Sequence, residues 1–210
     1  IKKLFPEVSV IRMDADTTQK KFSHEKILNK FEKENIDILL GTQMITKGLD
    51  FKNVTLVGVM AADASLYIDD YRSAERTFNL ITQVAGRAGR GEKPGRVIVQ
   101  TYSPENSSIV FAANHDYEGF YADEIQMRRA MNYPPFCELV TVLVVGANEK
   151  LVIRKIKDIA KQIKTAISEN NIAEAMVLGP AASSVSKIKD KYRYRIIIKI
   201  KRYYGKNHWY

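Results

Sequence analysis

The stretch IDILLGTQMITKGLDF, from Ile36 to Phe51, contains the pattern that decides the fold of the N-terminal part of the chain. Its first five residues, Ile36–Leu40, are almost all apolar and lack polar alternation, so they predict a strand that is buried on both sides. Gly41 and Gly48 bound the polar loop that follows. A buried strand that runs into such a loop indicates an open α/β sheet, in which ligands bind beyond the carboxyl ends of the strands.

Short apolar runs alternate with helical patterns through the first half of the chain. Further strands are predicted at Val8–Arg12, Thr55–Met60 and Arg96–Thr101, and helices at Gln19–Lys33 and from about Ser73 to Ala85. Buried strands that are separated by helices predict an α/β fold with a RecA-like parallel sheet and helices on both faces.

A second domain is predicted after the helical pattern of Asn106–Met131. That pattern ends at Tyr133-Pro134-Pro135, where two prolines prevent a helix from continuing. We therefore predict a RecA-like lobe with trailing helices at residues 1–132 and a small basic α+β domain at residues 133–210. The elements predicted for the second domain are a strand at Leu139–Val145, a helix from about Glu149 to Ser168, a strand near Met176–Leu178, a polar loop, and a strand at Tyr192–Lys201.

The charge is distributed unevenly along the chain. Residues 1–146 hold 18 Lys and Arg against 19 Asp and Glu, whereas residues 147–210 hold 15 against 5. A basic excess in the last third predicts binding to a polyanion, and nucleic acid is favoured over lipid because no strong amphipathic anchor accompanies it. The alternative is a lysine-rich face that only keeps the protein soluble.

Composition narrows the class of protein. With 45% hydrophobic and 27% charged residues, the 210-residue chain has the composition of a soluble globular protein and of neither a disordered nor a membrane-spanning one. The single cysteine, Cys137, cannot form an internal disulfide or a zinc cluster, and the first residues lack the apolar core of a secretion signal. We expect a cytoplasmic protein that does not contact a membrane.

Two segments carry the groups that suit phosphate chemistry. In the loop after Ile36–Leu40, Thr42 and Gln43 offer hydroxyl and amide groups to phosphate oxygens, although a simple strand-to-helix turn is the better explanation of this loop when it is taken alone. In QVAGRAGRG, which begins at Gln83, Arg87 and Arg90 project from a glycine-rich backbone and could reach a polyphosphate. A glycine-terminated helix end is the alternative for this second segment.

Together, the two segments resemble motifs V and VI of superfamily 2 helicases, and most of the chain is similar to the primosomal protein N′ (PriA) family of replication-restart helicases. Only the end, IKRYYGKNHWY, departs from the family pattern. The stretches that carry the resemblance are RMDADTT at Arg12–Thr18, VTLVGVMAADASL at Val54–Leu66, DYRSAERTFNLITQ at Asp70–Gln83, PGRVIVQTYSP at Pro94–Pro104, YPPF at Tyr133–Phe136 and LGPAASSVSKIKDKYRYRIIIK at Leu178–Lys199.

The resemblance implies an ATP-dependent DNA helicase that recognises and unwinds stalled or branched forks. In such motors ATP and Mg²⁺ lie between two lobes, and the first lobe carries the phosphate loop. No G-x-x-x-x-G-K-[ST] occurs in this sequence, and the one acidic lookalike, Asp123-Glu124-Ile125-Gln126, falls inside a helical pattern. The zinc-binding cysteines of the family are also absent. We therefore expect a fragment that has no ATPase activity alone.

The resemblance also implies roles for individual residues. Arg87 and Arg90 would contact the γ-phosphate across the lobe interface, with Arg90 as the arginine finger. Gln83 would orient the finger, and Gly48 and Asp50 would line the nucleotide side. Thr42 and Gln43 would face the phosphates of the tracking strand. Weaker candidates for DNA or interlobe contact are Asp14, Asp16, Thr17 and Thr18, which could equally form only a turn.

The C-terminal domain of the family is implicated in binding branched DNA and single-strand-binding protein, and the family acts with other primosome proteins and the machinery that loads the replicative helicase. Tyr192 and Tyr194 could stack on bases, although such alternation is also typical of a strand with one buried face. The candidates for the nucleic-acid face are Lys187, Lys189, Lys191, Arg193 and Arg195.

Two other functions remain open from the sequence. Another superfamily 2 translocase, such as a RecG-like branch-migration enzyme, also carries glycines and arginines in motif VI, but the YPPF and LGPA segments argue against it. A nucleic-acid-binding module that borrowed one RecA-like lobe and performs no catalysis is the second alternative.

Overall fold

The computed structural model describes residues 1, 3–14, 23–42, 53–89, 93–172 and 174–201. By packing, they divide into two units. The first unit takes the described residues of Ile1–Ile68 and Arg72–Phe120, and the second takes Asp69–Tyr71 and the described residues from Tyr121 onward. The elements, in chain order, are β1 (Val10–Met13), α1 (Ser23–Lys33), β2 (Ile38–Gly41), β3 (Leu56–Val59), α2 (Asp63–Leu66), α3 (Ser73–Ala85), β4 (Arg96–Val99), α4 (Ser107–Ala113), α5 (Tyr117–Ala130), β5 (Cys137–Gly146), α6 (Glu149–Glu169), β6 (Ala175–Ile188) and β7 (Lys191–Lys201).

Parallel strand pairs form the sheets of the first unit. β1 pairs with β2, and β3 pairs with β4. Parallel neighbours need a crossover connection, which contains α1 in the first pair and contains α2 and α3 in the second. These crossovers confirm the predicted α/β class. Among the described strands the two pairs remain two separate sheets, rather than the single sheet that the sequence predicted.

Helix α3 forms the centre of the first unit's core and has the bounds that the sequence predicted. Phe78 and Ile81 are buried on one side of it, where they pack with Val59 of β3 and Ile109 of α4. The ring of Phe78 stacks on that of Phe120, with 4.3 Å between the centroids. Burying this apolar face fixes the direction of α3, and therefore the position from which the chain enters the segment after Ala85.

The helical pattern of residues 106–131 forms two helices. The chain turns between α4 and α5 at His115, whose φ is +53°, and the Asp116 carboxylate then accepts a 2.8 Å hydrogen bond from the N–H of Gly119. An aspartate that accepts from a backbone N–H three residues later starts a new helix. The predicted helical region of residues 106–131 thus consists of α4 and α5.

The second unit is an antiparallel sheet with one long helix. The strand order is β5-β7-β6, and α6 packs against the face that contains Tyr194, Ile196 and Ile198 of β7. Ile156 of α6 and Ile196 are fully buried between helix and sheet. This arrangement confirms the predicted α+β architecture.

The polar loop predicted after Met176–Leu178 is in fact part of a strand. β6 continues to Ile188 and pairs with β7, from Ala175↔Ile200 to Ile188↔Lys191, with register shifts after Leu178 and after Ala182. Strand pairing uses backbone N–H and C=O groups, so polar side chains at a sheet edge do not prevent it, and bulges absorb the extra residues. The sequence pattern predicts burial, and β6 is mostly exposed.

Packing divides the chain within α5. The predicted boundary between residues 132 and 133 stays a prediction.

Candidate functional site

The end of α3 positions two of the predicted nucleotide-binding residues. Gln83 is exposed in the last turn, and Arg87 follows the helix end. The backbone continues to turn there, because the N–H of Arg87 donates to the carbonyl of Val84 at 3.0 Å. Gln83 and Arg87 are thus four residues apart across the end of α3. Arg87 is partly buried.

The glycines of this segment have different structural tasks. Gly86 is the C-cap of α3 with an ordinary φ of −67°, so the helix-end interpretation holds for its position. Gly89 has a φ of +74° and donates its N–H to the carbonyl of Val54 at 3.0 Å. A Cβ atom at Gly89 would lie 2.3 Å from the backbone nitrogen of Gly95. Gly89 thus permits a left-handed turn and a close backbone contact that hold the segment in place.

The remaining residues of the predicted nucleotide site lie largely outside the described residues. Thr42 is described, and it is exposed directly after the carboxyl end of β2, where a ligand of a parallel sheet is expected. The sequence-predicted site residues that fall outside the described part of the chain are Gln43, Gly48, Asp50 and Arg90.

Asp14, the first of the weaker candidates, is held at the end of β1. Its carboxylate is buried and forms a close ion pair with the guanidinium of Arg12. A carboxylate in that position stabilises the end of the strand. This agrees with the alternative that the loop forms only a turn. Asp16, Thr17 and Thr18 lie outside the described residues.

A buried carboxylate that the sequence analysis did not single out joins the ends of β3 and β4. Asp63 is 6% exposed and accepts hydrogen bonds from the Thr101 hydroxyl at 2.8 Å and from the N–H of Tyr102 at 2.9 Å. Burial alone would raise the pKa of Asp63, but these hydrogen bonds outweigh it and hold the pKa below its usual value. Only the path of the chain brings the partners together, so no local signal could have revealed them.

The basic residues of the second unit divide into two groups. Lys187, Lys189 and Lys191 lie at the exposed end of the β6–β7 hairpin, whose turn residues Lys189 and Asp190 both have positive φ. This backbone is typical of a two-residue hairpin turn. The Nζ of Lys187 lies 3.1 Å from the Asp190 carboxylate and 5.1 Å from the centroid of the Tyr192 ring.

Arg193 and Arg195, the second group, are half-buried on β7. Their alternation with Tyr194 and Ile196 places them on the sheet face opposite to α6. Arg195 forms a close ion pair with the carboxylate of Asp69. Tyr194 packs into the core beside α6, and its hydroxyl donates to Glu149 at 2.9 Å, so the buried-face interpretation holds for this tyrosine.

Lys199 was not a candidate, yet it is the most constrained lysine among the described residues of β7. It is 6% exposed, its Nζ donates to the carbonyl of Met131 at 2.8 Å, and it lies 3.8 Å from the centroid of the Tyr133 ring. The thiol of Cys137 is buried nearby and donates to the carbonyl of Asn132 at 3.0 Å. Burial raises the pKa of Cys137, and the positive charge of Lys199 only partly opposes this.

Tyr133 also contacts the segment Asp69–Tyr71 of the same unit. The rings of Tyr71 and Tyr133 stack with 5.6 Å between their centroids, and the guanidinium of Arg128 lies 5.2 Å from the centre of the Tyr71 ring. Cations at both ends of a stacked aromatic pair stabilise it. The YPPF segment that the sequence analysis quoted is thus a structural anchor. The acidic lookalike at Asp123–Gln126 lies in α5, as expected, and its Glu124 accepts from Arg128 at 2.8 Å.

No helix in the described ranges is both long enough and apolar enough to cross a membrane. This finding concerns the helices alone.

Two family models match the chain in succession. The model of the helicase conserved C-terminal domain matches residues 1–92, and that of the primosomal protein N C-terminal domain matches residues 129–208. The first match covers the elements from β1 to α3 and ends before β4, and the second covers the antiparallel sheet and α6.

The chain is also similar to curated proteins that are named replication restart protein PriA. It is 52% identical to that of Bacillus subtilis over 95% of this chain and 24% of the relative. Identity is 45% to that of Synechocystis, over 93% of this chain and 23% of the relative, and 41% to that of Chlamydia muridarum, over 93% and 25%. The chain thus spans about a quarter of the length of these relatives.

Proposed function

The chain belongs to the family of the replication restart protein PriA, and on that premise we propose that it supplies the second motor lobe and the C-terminal domain of an ATP-dependent DNA helicase. This helicase recognises and unwinds stalled or branched replication forks so that a primosome can assemble. The observation that carries the proposal is the succession of a helicase lobe and a primosomal C-terminal domain in one chain, with relatives of one name along 95% of it.

The geometry at the end of α3 supports the nucleotide part of the proposal. Gln83 is exposed in the last turn of α3, Arg87 follows the helix end, and the close approach of Gly89 to Gly95 constrains the segment that leads to Arg90. Arg90 acts as the arginine finger on the γ-phosphate, Arg87 assists it, and Gln83 orients it. Gly48 and Asp50 line the nucleotide side. ATP and Mg²⁺ are bound mainly by a first lobe whose phosphate loop does not occur in these 210 residues.

The nucleic-acid part of the proposal rests on where the charges lie. Thr42 and Gln43 contact the phosphates of the tracking strand from the end of β2. In the second unit, the exposed lysines of the hairpin end are the main phosphate contacts, and Arg193 adds to them. Arg195 contributes to DNA binding only when it exchanges its ion pair with Asp69 for a phosphate.

The partners and the setting of the protein follow from the same family premise. We propose that it works with single-strand-binding protein, with other primosome proteins and with the machinery that loads the replicative helicase, in the cytoplasm. Zn²⁺ belongs to the full-length family protein, and its ligands are not among the residues of this chain. Binding of these proteins to this chain is testable by titration of each purified partner.

The test of the motor function uses a chimera in which this chain replaces the matching quarter of the Bacillus subtilis relative. DNA-stimulated ATP hydrolysis and unwinding of a forked duplex are measured. An arginine that meets the γ-phosphate only after lobe closure stabilises the transition state more than the bound nucleotide. Arg90→Ala should therefore lower kcat by about 10³-fold or more with little change in nucleotide affinity.

Two controls make this test specific. Arg90→Lys should not restore turnover, because an ammonium group cannot replace the planar guanidinium that spans two phosphate oxygens. Arg96→Ala removes an exposed arginine of the same unit and should leave turnover unchanged. If Arg90→Ala only lowers the melting temperature while turnover stays normal, Arg90 is a helix-end residue. A folded chimera that binds DNA but never hydrolyses ATP would favour the non-catalytic module.

A further inference from the structure

Two tyrosine side chains that follow the carboxyl ends of β3 and β4 are exposed to solvent. Tyr67 follows α2 and is 75% exposed, and Tyr102 follows β4 and is 90% exposed. Met60, the residue after β3, is exposed beside the same strand ends. Aromatic side chains carry a large apolar area that folded proteins normally cover in a core or an interface. Rings left open at the ligand-binding edge of parallel strands therefore indicate that something else covers them.

Hydrogen bonds hold the backbone of Tyr102 and the hydroxyl of Tyr67, although both rings are exposed. The buried carboxylate of Asp63 fixes the backbone at Tyr102 and the hydroxyl of Thr101, and that hydroxyl oxygen accepts a 3.0 Å bond from the N–H of Ser103. The hydroxyl of Tyr67 lies 3.1 Å from the hydroxyl of Ser103, the neighbour of Tyr102. One hydrogen-bond network thus holds the backbone of Tyr102 and the hydroxyl of Tyr67. A surface that is ordered before binding loses less conformational freedom when a ligand arrives.

We propose that Tyr67 and Tyr102 form a stacking platform for unpaired bases of single-stranded DNA. Every base has a π face, so stacking on tyrosine holds a strand without reading its sequence, as a translocating motor requires. The platform complements Thr42, which offers a hydroxyl to phosphates after the carboxyl end of β2 in the same unit. This inference rests on the proposed function, because only a protein that binds DNA would present a single strand to the rings.

A base suits this surface better than a protein does. A stable protein interface covers roughly 800 Å² on each partner and uses about 20–30 residues. Here two rings and one methionine lie above a network of hydrogen-bonded polar groups. The apolar area matches one or two bases, and the polar surroundings suit a solvated phosphate backbone.

The experiment compares two single strands of equal length, one with bases and one with a fully abasic backbone. The 210-residue chain is titrated with each, and the ratio of the two Kd values measures the contribution of the bases. Tyr67→Ala/Tyr102→Ala should reduce the preference for the strand with bases by about 5- to 150-fold. Affinity for the abasic strand should not change, because phosphate contacts are retained.

Matched variants separate stacking from other effects. Tyr102→Phe keeps the ring and the backbone hydrogen bond and should keep the preference, whereas Tyr121→Ala removes an exposed tyrosine of α5 and should not alter it. If the double alanine variant does not fold, Tyr102→Ala alone serves, since Tyr102 joins the network through its backbone N–H. Quenching of 2-aminopurine in the strand, lost in the alanine variants, gives an independent signal of stacking.

Three outcomes overturn the inference. If the alanine variant binds both strands as the wild type does, or if it loses affinity equally for both strands, the bases do not contact the rings. If the phenylalanine variant loses the preference for the strand with bases, that preference depends on the hydroxyl group and not on the ring. If the wild-type chain binds neither strand, DNA binding itself fails and the platform fails with it, a result distinct from the first three.

Discussion

Single residues in this protein take their roles from neighbours that are distant in sequence. Lys199 belongs to a strand in which basic and apolar residues alternate, and by pattern alone it would be one more solvated lysine. In the fold it is buried against the Tyr133 ring and the carbonyl of Met131, so it anchors the start of the second unit's sheet. A basic residue can therefore be assigned to a nucleic-acid-binding surface only when its side chain is known to be exposed.

Gly89 offers a residue-scale prediction with Gly86 as its matched control. Gly89→Ala should destabilise the first unit by about 2 kcal/mol or more, because φ is +74° and the added Cβ would meet the backbone of Gly95. Gly86→Ala should be neutral or slightly stabilising, since φ is −67° and the nearest backbone oxygen is 3.5 Å from the added Cβ.

Urea unfolding of both glycine variants, followed by circular dichroism, measures these changes. Equal destabilisation by the two substitutions would show that the left-handed turn and the Gly95 contact do not decide the stability of the segment.

At the level of helices and strands, hydrogen bonds between strand ends add to the stability that apolar packing provides. β3 and β4 are only four residues long each, and the carboxylate of Asp63 ties the residues after β3 to those after β4. The hydroxyls of Ser65 and Thr77 add a buried bond between α2 and α3. Short strands thus gain stability from polar groups that the fold removes from water and pairs.

The lowered pKa of Asp63 predicts acid-sensitive stability of the first unit. Because the folded-state pKa lies below the unfolded value, the unfolded state binds protons at a higher pH than the folded state does. The contribution of Asp63 to stability is therefore complete above the unfolded pKa of 3.8 and is lost as pH falls through the folded-state pKa. Asp63→Asn should lower stability at neutral pH and flatten its decline in acid.

Urea midpoints between about pH 7 and pH 2 test the prediction for Asp63. Glu105→Gln removes an exposed carboxylate of the same unit and serves as the control. An unchanged acid decline in Asp63→Asn would mean that other carboxylates dominate it.

At the scale of the whole molecule, the basic excess of residues 147–210 is distributed over two surfaces. One is the end of the β6–β7 hairpin, and the other is the exposed side of α6. Both carry several lysines, so net charge alone cannot decide which of them binds DNA.

Salt dependence distinguishes the two basic surfaces. If the hairpin neutralises phosphates of a single strand, replacing Lys187, Lys189 and Lys191 with alanine should flatten the log Kd–log salt slope by about 2 units, at about 0.7 per phosphate. A triple alanine variant of Lys150, Lys157 and Lys161 on α6 has the same change in charge and should leave the slope nearly unchanged. Titrations of a labelled strand at several salt concentrations give both slopes, and an equal effect of the two variants would contradict a hairpin site.

The sequence by itself determined the order and type of most elements, because burial imposes its periodicity on each segment separately. The patterns that predict α3, α6 and β7 are local. The spacings of glycine and arginine that carry the family resemblance are local too. The polar part of β6 was missed, since it has no clear apolar period.

Only the tertiary structure decided which residues meet. Asp63 and Thr101 are 38 positions apart, Lys199 and Met131 are 68 apart, and Arg195 and Asp69 are 126 apart. Such contacts depend on the path of the chain through several elements, whereas a sequence pattern records only whether each position is buried along its own helix or strand. For that reason motif spacing could indicate a helicase lobe, while the Asp63 network and the positions of Tyr67 and Tyr102 emerged from the fold.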